Sequence, residues 1–91
     1  MVVIMYTLIV YDIGEERVSK VLKFLRTYLN WIQNSVFEGE LTDAQLLKVK
    51  NHLIRIINEK DDSVIILSSR EKRWISKTIL GKEKNSTDNF I

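Results

Sequence analysis

The segment YTLIVYDIGEERVSK, residues 6–20, contains the change of hydrophobic pattern that decides the predicted fold. Residues 2–12 are almost continuously β-branched, aromatic or otherwise apolar, which is typical of a strand buried on both faces or at a subunit interface. From Glu15 onwards the apolar residues recur at helical spacing, at Val18, Val21, Leu22, Leu25 and Leu29. The pattern predicts a strand, a turn at residues 12–16 in which Gly14 permits unusual backbone angles, and an amphipathic helix.

The middle of the chain predicts two short strands and a second helix. Residues 30–41 mix β-forming and polar side chains, and because they include Gly39 we expect the strands to meet at a bend or bulge. Thr42 and Gln45 form a capping box, and the flanking leucines form the hydrophobic staple that accompanies it. The second helix therefore begins at Thr42, and its apolar spacing ends at about Asn58.

Two further apolar segments complete the predicted fold. Residues 63–68, SVIILS, predict a buried strand, and residues 73–80, RWISKTIL, predict a weaker one. The order strand, helix, two strands, helix, strand is that of a ferredoxin-like βαββαβ sandwich of the α/β (α+β) class, with two helices on one face of an antiparallel sheet. We expect residues 1–80 to form a single domain with an additional C-terminal strand that can join a sheet edge, and residues 81–91 to form a loose tail.

The composition excludes several kinds of site. A chain of 91 residues, 45% hydrophobic and 29% charged, is sufficient for one folded domain with a modest core. It contains no cysteine, which excludes disulfides, thiolate metal sites and thiol catalysis. The apolar start is shorter than the roughly 20 residues that span a membrane and lacks a basic flank. We therefore expect a cytoplasmic protein without membrane contact.

The positive charge is concentrated in one segment near the C-terminal end. Residues 70–84 contain six basic and two acidic side chains, although the formal charge of the whole chain is only +2. Such a segment can attract polyanions such as nucleic acid, but a solvated surface gives the same pattern in most proteins. The charge pattern is therefore only a weak indication of nucleic-acid binding.

Asp12 is the strongest candidate for a functional residue. It ends a buried strand at the rim of a rigid sheet, where sites are commonly built. The alternative is that it caps backbone N–H groups of the following helix. One carboxylate is an incomplete site for Mg²⁺, which a second copy of the chain would complete. His52, the only histidine, has no acid or nucleophile beside it in the predicted helix, so we expect a surface or packing role.

Separated segments of the sequence together resemble a known family. They are YDI at residues 11–13 followed by Arg17, QNSVFEGELTDAQL at residues 33–46, and DDSVIIL at residues 61–67. Their order and spacing are similar to those of the small CRISPR-associated endonuclease family, the second of the two core CRISPR adaptation proteins, over residues 3 to about 68. The resemblance implies a ferredoxin-like fold and a homodimer in which one aspartate from each protomer faces a shared cleft that can bind Mg²⁺ or another divalent cation.

Several positions take their expected roles from this resemblance. Asp12 matches the family's aspartate and is expected to be catalytic and to bind the metal ion. Arg17 matches a basic position that could contact phosphate, with a solvated charge as the alternative. Ser35 and Phe37 match a motif near the cleft, with a strand hydroxyl and strand packing as the alternatives. Trp31 stands where the family commonly has a basic residue, so one phosphate contact could be missing.

The resemblance implies two functions that can coexist. One is a metal-dependent endonuclease that hydrolyses phosphodiester bonds of DNA or of RNA, including single-stranded RNA. The other is an adaptor in spacer acquisition, in which the homodimer binds duplex DNA and bridges dimers of the CRISPR integrase subunit. The expected nucleic-acid-binding residues are Arg17, Lys20, Lys72 and Arg73. The alternative is a ferredoxin-like toxin-type nuclease or a small regulator outside CRISPR.

Overall fold

The computed structural model describes residues 2–71 and residue 80. The elements are β1 (Ile4–Asp12), α1 (Glu15–Leu25), β2 (Asn30–Gln33), β3 (Val36–Thr42), α2 (Asp43–Ile56) and β4 (Ser63–Ser69). This order confirms the predicted βαββαβ arrangement. The strand predicted at residues 73–80 and the tail predicted at residues 81–91 lie outside the described residues, apart from Leu80.

The four strands form one antiparallel sheet in the order β2-β3-β1-β4. β1 is central because its sequence is apolar on both faces, and it pairs with β3 on one side and β4 on the other. Both helices pack on one face of the sheet and enclose the core with it. The largest fully buried hydrophobic side chains of this core are Phe37, Ile9, Leu25, Leu41, Val21 and Val49. The ferredoxin-like fold is thereby confirmed.

Alternation along β1 divides its side chains between two environments. Ile9 and Tyr11 belong to the core and face the helices. The alternate residues Leu8, Val10 and Asp12 therefore face the opposite side of the sheet, which neither helix covers. Their neighbours on β4 are Leu67, Ile65 and Ser63. We call the surface formed by these six residues the open face.

Local hydrogen bonds explain where the helices begin and end. The predicted capping box is confirmed, because Thr42 Oγ1 accepts a hydrogen bond from Gln45 N (3.1 Å) and Gln45 Oε1 accepts one from Thr42 N (2.9 Å). By contrast, α1 ends at Leu25, about one turn earlier than predicted. Tyr28 N and Leu29 N both donate to Leu25 O, at 3.0 and 2.8 Å, so Leu29 enters the core from a turn. Neither α1 nor α2, the helices within the described residues, combines the length and apolarity needed to cross a membrane.

Gly39 lies in a regular part of β3, opposite Thr7 of β1, so it does not cause the bend or bulge predicted within residues 30–41. The irregularity is on β2 instead, where the register shifts between Trp31 and Gln33. A Cβ atom at Gly39 would lie only 2.9 Å from Leu29 Cδ2. The glycine therefore allows the segment between α1 and β2 to pack closely against β3.

Candidate active site at the rim of the sheet

Asp12 is the last residue of β1 and lies at the rim of the sheet, opposite Ser63 of β4. It is exposed, and within residues 2–71 and 80 its carboxylate makes no hydrogen bond or ion pair. The N-cap of α1 is Gly14, and no side chain caps that helix. The helix-capping alternative for Asp12 is therefore wrong, and its carboxylate is available to a ligand.

A buried carboxylate, Asp62, fixes the turn that follows Asp12. Its Oδ2 accepts hydrogen bonds from Arg17 Nε (2.6 Å) and Asn58 N (2.8 Å), and its Oδ1 accepts them from Arg17 Nη2 (2.8 Å) and Gly14 N (2.8 Å). The Arg17 hydrogen bonds, helped by those from the backbone, hold the pKa of Asp62 well below its usual range against the opposing effect of desolvation. These four hydrogen bonds, here called the Asp62 clamp, tie the turn after β1 to the loop before β4.

The guanidinium of Arg17 is held between two carboxylates. In addition to its contact with Asp62, its Nη1 lies 2.7 Å from Glu16 Oε1. The hydrogen bond to Asp62 raises the pKa of Arg17 above its ordinary value. A phosphate would have to share this guanidinium with Asp62, so the geometry favours a positioning role for Arg17. The phosphate contact implied by the family resemblance stays a prediction.

Gly14 is explained by the same arrangement. Its φ and ψ angles of −56° and 145° are ordinary extended values, so this turn does not use the unusual backbone angles that a glycine permits. A Cβ atom at this position would instead lie 2.5 Å from Arg17 Nη2 and 2.9 Å from Glu16 Oε1. The glycine therefore leaves room for the Arg17 side chain to reach Asp62.

The turn between β2 and β3 meets the end of β1 beside Asp12. The backbone of Asn34 has a φ of 45°, in the left-handed region that asparagine tolerates. Its carbonyl oxygen accepts hydrogen bonds from Tyr11 Oη (3.2 Å) and Trp31 Nε1 (3.0 Å). Ser35 O accepts a further one from Tyr11 N (3.0 Å). Burial raises the pKa of Tyr11. Ser35 therefore lies next to the residue that precedes Asp12, close to the rim.

The other predicted site residues lie in different surroundings. Phe37 is fully buried, with its ring centroid 6.0 Å from that of Tyr11. The prediction that Phe37 lines the cleft is therefore wrong, because the side chain faces the helices from β3 and packs in the core. Lys20 is exposed on α1, and its contact with nucleic acid stays a prediction. Lys72 and Arg73 lie outside the described residues.

Asp12 alone supplies too few oxygen ligands for a metal ion. No cluster of three or more His, Cys, Asp or Glu side chains occurs in the part of the chain that the structure describes. Mg²⁺ prefers six oxygens and commonly takes one or two from carboxylates and the rest from water and substrate phosphates. To hold such an ion, Asp12 would need further oxygen donors from a second copy of the chain, from water or from substrate phosphates.

Exposed apolar side chains lie on and beside the open face, which also carries Asp12. Ile65 and Leu67 of β4 are 53% and 52% exposed, and Ile4 at the start of β1 is 44% exposed. Contiguous exposed apolar side chains commonly mark a surface that contacts another molecule. The side of the sheet that bears Asp12 is therefore suited to a protein contact.

Comparison with known proteins identifies close relatives of this chain. The family model described as CRISPR associated protein Cas2 matches residues 5–76. The chain is 53% identical to the CRISPR-associated endoribonuclease Cas2 of Methanosarcina acetivorans over 87 residues, which are 96% of this chain and 100% of the relative. It is 52% identical to the protein of the same name from Methanothermobacter thermautotrophicus, over 97% of this chain and 97% of the relative.

Solved structures share both the fold and part of the sequence. A crystal structure of Cas2 matches with a TM-score of 0.85 and 46% identity, covering 93% of this chain and 95% of that one. The crystal structure of Streptococcus pyogenes Cas2 at pH 6.5 matches with a TM-score of 0.68 and 32% identity, covering 81% of this chain and 98% of that one. The likeness in sequence and in structure therefore extends over most of the chain.

Proposed function

Because this chain belongs to the family of CRISPR-associated protein Cas2, we propose that it acts in CRISPR adaptation as a cytoplasmic homodimer whose two Asp12 carboxylates hold Mg²⁺, or another divalent cation, for phosphodiester cleavage. The same homodimer binds duplex DNA and bridges dimers of the integrase subunit during spacer acquisition. The observation that carries the proposal is the exposed carboxylate of Asp12, which has no hydrogen-bond or ion-pair partner among the described residues and lies on a sheet face with exposed apolar side chains.

The names of the relatives support nuclease activity. The proteins at 53% and 52% identity are called endoribonucleases, so single-stranded RNA is the first substrate to test and duplex DNA the second. A divalent cation would supply charge neutralisation at the phosphate and a bound water of lowered pKa. Asp12 would hold the ion, while the Asp62 clamp and the β2–β3 turn keep the end of β1 in place.

The open face supports the homodimer. A second copy packed against this face would remove Ile65 and Leu67 from water, which is favourable for apolar side chains. Because Asp12 lies on the same side of β1 as Val10 and Leu8, a two-fold axis that passes near this rim would also bring the partner's carboxylate towards the first one. A second copy of this chain would therefore provide both the apolar contact and the second carboxylate for the ion.

The adaptor activity depends on positive charge rather than on Asp12. Duplex DNA is held mainly through its phosphates, so binding should weaken strongly as salt is added. Lys20, Lys72 and Arg73 are the proposed contacts, and Arg17 contributes only if a phosphate can share it with Asp62. The family match over residues 5–76 favours this CRISPR function over a toxin-type nuclease or a regulator.

The catalytic proposal is tested by Asp12→Asn, which removes the charge and keeps the volume. Asp43→Asn is the matched control, because Asp43 is also exposed but lies at the opposite rim, where its N–H donates to Val3 O (3.2 Å). We expect Asp12→Asn to abolish Mg²⁺-dependent cleavage of single-stranded RNA without changing the thermal unfolding midpoint, and Asp43→Asn to cleave as the wild type does. Undiminished cleavage by pure Asp12→Asn protein would show that the assignment is wrong.

A further inference from the structure

A cleft between α1 and α2, on the side of the molecule away from the open face, has a chemistry that the proposed function does not use. Its volume is about 360 Å³, which is within the range of sites for small ligands. The lining residues are Phe24, Tyr28, Lys48, Asn51, His52 and Arg55. We call it the interhelix cleft.

One wall of the interhelix cleft is aromatic. The rings of Phe24 and His52 are stacked, with centroids 4.0 Å apart and an interplanar angle of 26°. The ring of Tyr28 lies 5.5 Å from that of Phe24. All three residues are half-buried, so part of each remains accessible from the cleft. Planar, partly exposed rings of this kind are surfaces on which unpaired bases stack.

The charged side chains of the cleft are all basic. Lys48 and Arg55 are exposed, and within residues 2–71 and 80 neither forms an ion pair. The acidic residues of both helices are confined to their first turns, at Glu15, Glu16 and Asp43. The remaining surface of the helices therefore has a positive potential that favours an anionic ligand.

We propose that the interhelix cleft binds single-stranded nucleic acid, with an unpaired base against the aromatic wall and neighbouring phosphates on Lys48 and Arg55. An acidic peptide would pair with the basic side chains, but it would leave the exposed part of the aromatic wall without a stacking partner. A duplex would reach the same side chains with its phosphates, but its bases are already stacked on one another. The proposal rests on the proposed function only in taking nucleic acid as the ligand, and it requires neither the metal ion nor the dimer.

His52 provides a direct test because it is the only histidine in the chain, so its ring proton signals can be assigned without ambiguity. We would titrate the full-length protein with a short oligothymidylate in the presence of EDTA and follow the chemical shifts of the His52 ring protons by NMR. The same titration would be repeated with a duplex of equal length. We expect the single strand, whose base stacks against the aromatic wall, to shift the His52 signals well beyond any shift that the duplex causes through its phosphates. Unshifted signals at saturating oligothymidylate, or equal shifts with both probes, would overturn the proposal.

Charge variants test the phosphate contacts. The double variant Lys48→Gln/Arg55→Gln is compared with Lys50→Gln/Lys60→Gln, in which Lys50 lines a different groove between α2 and β4 and Lys60 lies in the loop before β4. The slope of log affinity against log salt is negative, and two lost phosphate contacts should reduce its magnitude by about 1.4 for a single strand. We expect this reduction only for the cleft variant. An equal change in the control variant would mean that binding is diffuse, which contradicts the proposal.

A further variant separates stacking from charge. Phe24→Leu keeps an apolar side chain but removes the ring, and we expect it to weaken oligothymidylate binding about fivefold or more. If cleavage is never observed but these binding results hold, the nuclease proposal fails and the interhelix cleft stands. If the Phe24→Leu protein binds with unchanged affinity, the stacking proposal is wrong.

Discussion

Replacing Gly39 by alanine tests whether the glycine of the β3 strand is required by close packing. A Cβ atom at Gly39 would lie 2.9 Å from Leu29 Cδ2 and 3.5 Å from Leu29 Cα. Leu29 is only 4% exposed, so it has little room to move away. Since apolar carbon atoms pack best at about 3.5 to 4.0 Å, the Leu29 methyl group must shift by roughly 0.6 to 1 Å.

The expected cost follows from two opposing effects. Adding a methyl group to a filled core typically costs about 1 to 3 kcal/mol. Replacing glycine by alanine inside a strand recovers roughly 0.5 to 1 kcal/mol of this, because glycine loses more backbone entropy on folding. From the central values of these ranges we expect Gly39→Ala to lower the free energy of unfolding by about 1.2 kcal/mol, and the thermal midpoint by roughly 5 to 10 °C for a domain of this size.

A double-mutant cycle in urea, at one fixed protein concentration, identifies the cause. Leu29→Val shortens the side chain that meets the new methyl group, so the double variant should cost less than the sum of the single variants by at least about 0.5 kcal/mol. Leu53→Val is the control, because Leu53 packs between α2 and β4 and should be additive with Gly39→Ala. A neutral Gly39→Ala variant, or additivity with Leu29→Val, would refute the close-packing argument.

Two further predictions concern the clamp and the open face. Asp62→Asn removes a carboxylate whose pKa is lowered in the folded protein. Such a carboxylate stabilises the fold at pH values above the ordinary aspartate pKa of about 3.9. The urea midpoint of the wild type should therefore exceed that of the variant at pH 7, and the difference should shrink as pH falls below about 4; a difference that does not depend on pH would contradict this. Leu67→Lys should convert the proposed dimer to a monomer in sedimentation, whereas Leu47→Lys, at a 59% exposed leucine of α2, should not, and a monomeric wild type would contradict the proposed dimer.

Asp12 could be predicted as a candidate site residue because the sequence pattern that marks it is local. A carboxylate that directly follows an apolar strand is placed at a sheet rim by the strand itself. Phe37 shows the limit of this reasoning, since Ser35 of the same motif lies in the turn before β3, whereas Phe37 lies within β3, faces the helices and is fully buried. Motif membership alone does not tell which face of a strand a residue occupies.

Asp62 was missed although it stands in the quoted segment DDSVIIL. Two adjacent acids before a strand look alike in sequence, and nothing in their spacing shows which one is buried. The structure distinguishes them, because Asp62 accepts hydrogen bonds from Arg17, a residue 45 positions earlier in the chain. The positioning of the turn after Asp12 therefore depends on a pair that local patterns do not reveal.

The amino-acid sequence by itself determined the order of strands and helices, the capped start of α2 and the carboxylate at the end of β1. These features depend on periodicity and on residues within one turn of each other, so the chain encodes them locally. Only the tertiary structure decided which distant residues meet, as in the Asp62 clamp, the contact of Gly39 with Leu29 and the stacking of Phe24 on His52. Such contacts arise when separate elements pack into one dense core, where available space and paired charges select the partners.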